Sequence, residues 1–517
     1  MNDAWWKSAT VYQVYPRSFG DGNGDGIGDL LGIIQHLEYL EWLGIDAIWL
    51  CPIYPSPMAD FGYDITDYEN IDPLFGTLAD FDQLVRECHA RRIRLILDLV
   101  PNHTSIEHPW FKESASSCHS LRRDWYIWKG PKSDGSPPNN WRSVTGGPAW
   151  SLDGVTGQYF LHSFLPCQPD LNWRNPEVRE AFLDVIRFWL DRGVDGFRID
   201  MLDFLAKDSE FSDEPDPNYT FATAQKHSNH TDVFGIARHI QLLVDSYPNK
   251  VTIGEVGPFL EVAKVVRYYG SGDLINLPFN FGLMRIPWTA ENVRDFIHRY
   301  ETSLPEHAWP NYTLDNHDTP RLASRIPRSD LPLAAVLLLT LRGTPFLYYG
   351  DELGMENVHI APEATRDPWE KVEPGRGRDG ARTPMPWDNS EFAGFSRHEP
   401  WLPIGARHRN ASVSSLRDNE NSLLHVYRKL ITLRKSWSAL TLGSLELLTS
   451  DQPGLLAFRR CLGNERLVVA LNFSDGRLDL CATLGNAKSR LIFSSDPIRT
   501  FDGPVTALEP KEGVIVE

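Results

Sequence analysis

Three carboxylates close short apolar runs: Asp200 in Gly196-Phe197-Arg198-Ile199-Asp200, Glu255 in Val251-Thr252-Ile253-Gly254-Glu255, and Asp318 in Tyr312-Thr313-Leu314-Asp315-Asn316-His317-Asp318. Short apolar runs punctuated by glycine read as buried strands. Side chains alternate along a strand, so Arg198 and Asp200 share one face. A guanidinium beside a carboxylate favours the ionised form that a nucleophile needs. Asp60 and His103 also fall at strand ends, as does His317, and Arg382 lies in the loop after the last strand. Three carboxylates meeting in one cleft suit the cleavage of an acetal between sugars. One attacks, one protonates the leaving oxygen, and one binds hydroxyls that tighten in the transition state. Singly, each of these residues reads equally as a cap or a turn residue. Their convergence carries the inference.

Such convergence needs a frame. Strand patterns are expected over 9–16, 47–50, 94–100, 196–200, 251–255, 273–279, 312–318 and 345–350. Helical patterns are expected over 30–43, 78–90, 176–192, 235–247 and 423–435. This alternation predicts parallel βα units, an α/β fold of the (β/α)8 barrel type, with its chemistry at the C-terminal ends of the strands. The rhythm breaks over 104–173, which is turn-rich, carries several Trp and shows no helix of any length. An irregular stretch this long is expected to be a small subdomain inserted after the third strand. Residues 207–232 are polar and are expected to lie over the barrel mouth, and 363–388 form a long polar loop bearing Arg376, Arg378 and Arg382. From about residue 438 the period shifts toward two, the mark of a C-terminal all-β domain. The expected division is a barrel over 1–103 and 174–437, an insert over 104–173 and a β domain over 438–517.

Composition bounds the function. The 517 residues are 42% hydrophobic and 23% charged, with a net charge of −18 that argues against nucleic acid or an anionic membrane as partner. Seventeen Trp, 17 Tyr and 25 Phe are compatible with binding sugar faces. No basic, apolar leader and no membrane-length apolar run is visible, and the six cysteines show no short pairing. Free thiols and a cytoplasmic location are the expectation. The loop Asp21-Gly22-Asn23-Gly24-Asp25-Gly26-Ile27-Gly28-Asp29 spaces its oxygens like an EF-hand, but Gly32 stands where that motif needs its bidentate Glu. A Ca2+ site (Mg2+ as the alternative) made of Asp21, Asn23, Asp25, Asp29 and the Ile27 carbonyl is expected, because carboxylates this close repel unless neutralised. An Asx-rich turn without an ion is the competing reading.

Six motifs occur in order: Asp98-Leu99-Val100-Pro101-Asn102-His103, Gln168-Pro169-Asp170-Leu171-Asn172, Gly196-Phe197-Arg198-Ile199-Asp200, Gly254-Glu255-Val256, Asp315-Asn316-His317-Asp318 and Gly377-Arg378-Asp379-Gly380-Ala381-Arg382-Thr383-Pro384-Met385-Pro386-Trp387. With them the chain resembles glycoside hydrolase family 13, the α-amylase family, and its oligo-1,6-glucosidase/α-glucosidase subgroup, over essentially its whole length. The resemblance implies a barrel with an inserted B domain and a C-terminal antiparallel β-sandwich. It implies Asp200 as nucleophile, Glu255 as general acid/base and Asp318 as transition-state stabiliser. It also implies a glucose subsite formed by Asp60, Tyr63, His103, Arg198, His317 and Arg382. The Asp21–Asp29 loop matches the family's metal-binding loop, and no organic cofactor is implied. The substrates would be small α-glucosides cleaved with retention, possible also with transfer to another sugar, and Glu255 would be kept protonated by burial and its anionic neighbours. A glucosyltransferase or a sucrose/trehalose isomerase of the same family is the alternative. A non-catalytic sugar-binding relative is disfavoured, because all three carboxylates are present. Met201 departs from the subgroup's Val, Thr or Ala and leaves linkage preference open. Phe164 and Trp141 are candidate aglycone platforms, with core packing as the equal alternative for each.

Overall fold

The computed structural model describes residues 4–220, 223–228, 230–257, 261–480, 490–500 and 505–517. Eight strands form its central sheet: β1 (Val11–Val14), β2 (Ala47–Leu50), β3 (Arg94–Leu99), β4 (Gly196–Ile199), β5 (Val251–Gly254), β6 (Leu277–Pro278), β7 (Asn311–Thr313) and β8 (Thr344–Tyr348). All pairings are parallel, in the spatial order β7-β8-β1-β2-β3-β4-β5-β6. Strands covered on both faces have no polar side to show, which is why their sequences read as near-continuous apolar runs. Between them run amphipathic helices. Pro176–Asp191 is capped by Asn175, starts on Pro176, and turns Val178, Phe182, Val185, Ile186, Trp189 and Leu190 inward at three- and four-residue spacing.

Among the described residues no ladder joins β6 to β7, and a side chain bridges that seam instead. The Asn311 amide donates to the Pro278 carbonyl at 2.6 Å and accepts from the Asn280 N–H at 3.1 Å. β6 is far shorter than the expected 273–279: the Ile275 N–H is spent on Tyr268 O at 3.0 Å, and Asn276 meets the Thr252 N–H with its side chain at 2.9 Å in place of a ladder bond.

Two further departures are seen in the helices. The helix expected over 30–43 is two helices, Leu30–Gln35 and Leu37–Leu43, broken at His36, whose ring stacks on Trp387 with centroids 3.5 Å apart. The insert carries a helix, Pro109–Ala115, started by a His108 cap and Pro109; at 7 residues it is too short to print a period. The insert also holds a three-stranded antiparallel sheet of Trp128–Lys129, Tyr159–Leu161 and Trp150–Leu152. After the barrel come a five-stranded antiparallel sheet (Ser444–Leu448, Leu455–Leu462, Glu465–Asn472, Gly513–Val516, Leu491–Ser494) and a two-stranded one (Leu478–Asp479, Ala507–Leu508), with a shared apolar core. Five cysteines are free, and Cys481 lies outside the described residues. Among the described residues no helix is long and apolar enough to cross a membrane.

Replacing Asn311 by Ala leaves two buried backbone groups at the seam unpaired, a loss of about 2–4 kcal/mol. Calorimetry should show a thermal midpoint lowered by several degrees; an unchanged midpoint would contradict the bridging role.

Candidate active site

The C-terminal ends of the strands open on a cavity of about 320 Å³. Asp200, Glu255 and Asp318 all line it, together with Asp60, Tyr63, His103 and Phe164. Arg198, His317 and Arg382 lie beneath, each no more than 2% exposed, and hold the lining residues from behind.

The two carboxylates on β4 and β5 are fixed by backbone. Asp200 N–H donates to Leu99 O and Glu255 N–H to Ile199 O, both at 2.8 Å, so each sits one step past the end of its ladder. The close approach of β5 depends on Gly196, where a Cβ would stand 2.3 Å from the Val251 carbonyl oxygen. Met201 then turns into the left-handed region at φ 41° and points its N–H at Glu255 Oε2, 3.3 Å away.

Arg198 organises the floor. Its Nη1 donates to Asp98 Oδ1 at 2.6 Å and to Asp200 Oδ1 at 2.8 Å, and its Nη2 donates to Glu255 Oε2. Asp200 and Glu255 are also within hydrogen-bond reach of each other. Arg198 is not the only influence on the Asp200 charge. Burial pushes the Asp200 carboxyl well above the usual range; Arg198 opposes this, while Glu255 and Asp98 add to it. One positive charge shared by three buried carboxylates does not fully offset the cost of burying them.

The opposite wall has the reverse balance. Asp318 accepts from Arg382 Nη2 at 2.8 Å and from Arg378 Nη1 at 3.2 Å. Burial works against its charge, but His317 when protonated, Arg378, Arg382 and Arg198 hold its carboxyl well below the usual range. Arg378 also donates to Asp60 at 2.6 Å and grips Asp367 through Nε and Nη2, both at 2.8 Å. Burial lowers His317 to about 3, so its ring is neutral near pH 7. Gln13 Nε2 meets its Nδ1 at 2.7 Å and the Tyr63 hydroxyl its Nε2 at 2.7 Å, and that hydroxyl donates on to Asp98 at 2.9 Å. His103 contacts the Tyr63 carbonyl at 3.0 Å and Gln168 at 3.1 Å; Gln168 in turn donates to Asp60.

Phe164 packs with Met201 and Phe204 against Val144 and Trp369 and also lines the cavity. Trp141 takes the core reading: it is 1% exposed in the core of the insert, its indole N–H on Ser212 O. Three site residues had gone without a role. Asp98 is register partner to Arg198, and its signal is a carboxylate inside an apolar strand. Arg378 gave only its position, four residues before Arg382. Trp369 lines the cavity under Arg378, 4.3 Å from its guanidinium, and stands in a loop without period.

The Asp21–Asp29 loop offers only oxygen donors, the type Ca2+ and Mg2+ take. Those oxygens are turned onto the loop's own amides: Asp21 accepts from Gly24 and Gly26, Asn23 from Asp25, Asp25 from Ile27, and Asp29 from Gly22, Asn23 and Gly32. Among the described residues no group of three or more His, Cys, Asp or Glu side chains is arranged to hold a metal ion.

Known proteins place this geometry. Residues 13–443 match the family model described as "Alpha amylase, catalytic domain". The oligo-1,6-glucosidase of Parageobacillus thermoglucosidasius is 40% identical over 514 residues, covering 92% of this chain and 91% of that protein. The trehalose-6-phosphate hydrolase of Bacillus subtilis is 36% identical, covering 91% and 90%. Among solved structures, the α-glucosyl transfer enzyme XgtA superposes with a TM-score of 0.92 at 39% identity, covering 100% of this chain and 99% of that one. The trehalulose synthase MutB from Pseudomonas mesoacidophila gives 0.92 at 34% identity, with 100% of both chains covered. By the model match, these relatives and the shared fold, the chain belongs to the α-amylase catalytic-domain family.

Proposed function

We propose that this enzyme is a retaining, exo-acting α-glucosidase that releases glucose from the non-reducing end of short α-glucosides. One observation carries the reading: Asp200 and Glu255 stand within hydrogen-bond reach on one guanidinium, in the same cavity as an ionised Asp318. Exo action is supported by a contact between a barrel loop and the insert at the mouth. The loop bearing Arg376 reaches the insert, where Arg376 Nη1 donates to Val144 O at 3.2 Å and narrows the mouth on that side.

The chemistry follows from the charges. In this reading Glu255 is the acid and Asp200 the free carboxylate. Glu255 protonates the glycosidic oxygen as Asp200 attacks the anomeric carbon, forming a β-glucosyl ester. Glu255, now ionised, takes a proton from water, which opens the ester with net retention. Asp318, held as an anion by Arg378 and Arg382, accepts hydrogen bonds from sugar hydroxyls and strengthens them as charge develops on the ring. Asp60, Tyr63, His103 and Phe164 line the glucose subsite, and Arg198, His317 and Arg382 position it from beneath.

Transfer of the glucosyl ester to a second sugar is the other reading, favoured by the likeness to a glucosyl transfer enzyme and a trehalulose synthase. Proton NMR of p-nitrophenyl α-glucoside turnover separates the two. α-Glucose formed first, and absent with Asp200→Ala, is the expected result. New glucosides in place of glucose would establish transfer, and β-glucose first would overturn double displacement.

The chain's division into a barrel (1–103 and 174–437), an insert (104–173) and a β domain (438–517), and a cytoplasmic site of action, belong to the same reading; the free cysteines support the latter. A Ca2+ ion on Asp21, Asn23, Asp25, Asp29 and the Ile27 carbonyl is likewise proposed, as a structural ion neutralising three carboxylates within one loop. Chelation with EDTA should then lower the thermal midpoint, and added Ca2+ should restore it by mass action. A midpoint indifferent to both would leave the loop an Asx-rich turn.

A further inference from the structure

Behind the loop that carries Asp318 lies a second pair of carboxyl groups that the mechanism does not use. Asp315 is 1% exposed. Its Oδ1 accepts from the Asn316 N–H at 2.9 Å and its Oδ2 from the Leu322 N–H at 2.7 Å. The segment 316–322, which brings Asn316 and Asp318 to the cavity wall, is thereby folded around one side chain. Asp351 begins the turn after β8, is 6% exposed, and accepts from the Tyr348 N–H at 3.0 Å. The two carboxyl groups are in hydrogen-bond contact with each other.

The charged and titratable groups around them do not neutralise both. Arg321 donates Nη1 to Tyr349 O at 2.7 Å and lies against the rings of Tyr348 and Tyr349; its Nε and Nη2 have no hydrogen-bond partner among the described residues. Arg325 comes no nearer to Asp315 than 4.0 Å and gives its Nη2 to the Leu314 carbonyl. Glu352 is occupied by the hydroxyls of Tyr12 and Tyr39, and Tyr427 approaches from the helix Leu423–Ser436. Ionised carboxylates only accept, so a hydrogen bond between two carboxyl groups requires a proton on one of them.

We propose that Asp315 and Asp351 share a proton as a latch tying the Asp318 loop to the turn after β8, which makes Asp351 a positioning residue for Asp318. Burial pushes both carboxyls above the usual range, as such a pair requires. The sign is set by that direction. A raised carboxyl contributes stability while protonated and loses it as pH rises, when two anions are left in contact.

The inference rests on the role given to Asp318, and the test separates the two. Asp351→Asn keeps a permanent donor toward Asp315, whereas Asp351→Ala removes it. At neutral pH, Asp351→Asn should keep kcat/KM within about threefold of the wild type, while Asp351→Ala loses at least about tenfold, mostly in kcat. As pH is raised, the wild-type thermal midpoint should fall relative to that of Asp351→Asn. The latch is overturned if Asp351→Ala matches the wild type, if Asp351→Asn is as impaired as Asp351→Ala, or if the midpoint difference does not change with pH. Should Asp351→Ala fail to fold, the Asp351→Asn midpoint series decides alone. Should Asp318→Asn retain full kcat/KM, the role of Asp318 fails, and the same series still judges the latch.

Discussion

The guanidinium of Arg198 is the interaction on which the rest of the site depends. A charge taken out of water is costly unless it is paired and hydrogen-bonded. Here one cation meets Asp98, Asp200 and Glu255 at once, each from a different neighbouring strand. β3, β4 and β5 must therefore keep their register, because slipping any of them by one residue would turn its carboxylate to the other face. The same stoichiometry leaves the trio short of positive charge. That deficit leaves the Asp200 carboxyl pushed upward by burial and by its anionic neighbours Glu255 and Asp98.

The far wall solves a different electrostatic problem. Asp318 must stay an anion, and it has Arg382 and a share of Arg378, where Asp200 has only a share of Arg198. Arg378 extends this order outward by tying Asp60, Asp318 and Asp367 together, so that loops after β2, β7 and β8 form one surface. The floor supplies reacting atoms on rigid strand ends, and the wall supplies recognition on loops braced by buried ion pairs. Loops can change substrate without disturbing the reaction centre when the two tasks are divided this way.

Much of this was legible in the residues. Asp200 and Glu255 were found because each ends an apolar strand marked by glycine, and Arg198 because period two puts it beside Asp200. The barrel followed from the alternation of strand and helix patterns. What escaped had no local signature. Asp98 looks like one polar residue in an apolar strand until its register partner is known. Arg378 and Trp369 sit in a loop where no period ranks one residue above another, and only burial singles out Arg378. The break at His36 comes from Trp387, some 350 residues away, and the β6–β7 seam from a single Asn311 side chain. Long-range packing of this kind leaves no mark on a short window of sequence.

The dependence of kcat/KM on pH for Arg198→Lys tests the central claim most directly. Lysine keeps the charge but cannot reach three carboxylates from one rigid fork. Arg198 opposes the upward push on Asp200, so weakening it should raise that group further, and the acid limb should move to higher pH by about one unit. An acid limb that stays in place, or moves down, in a folded variant would contradict the account.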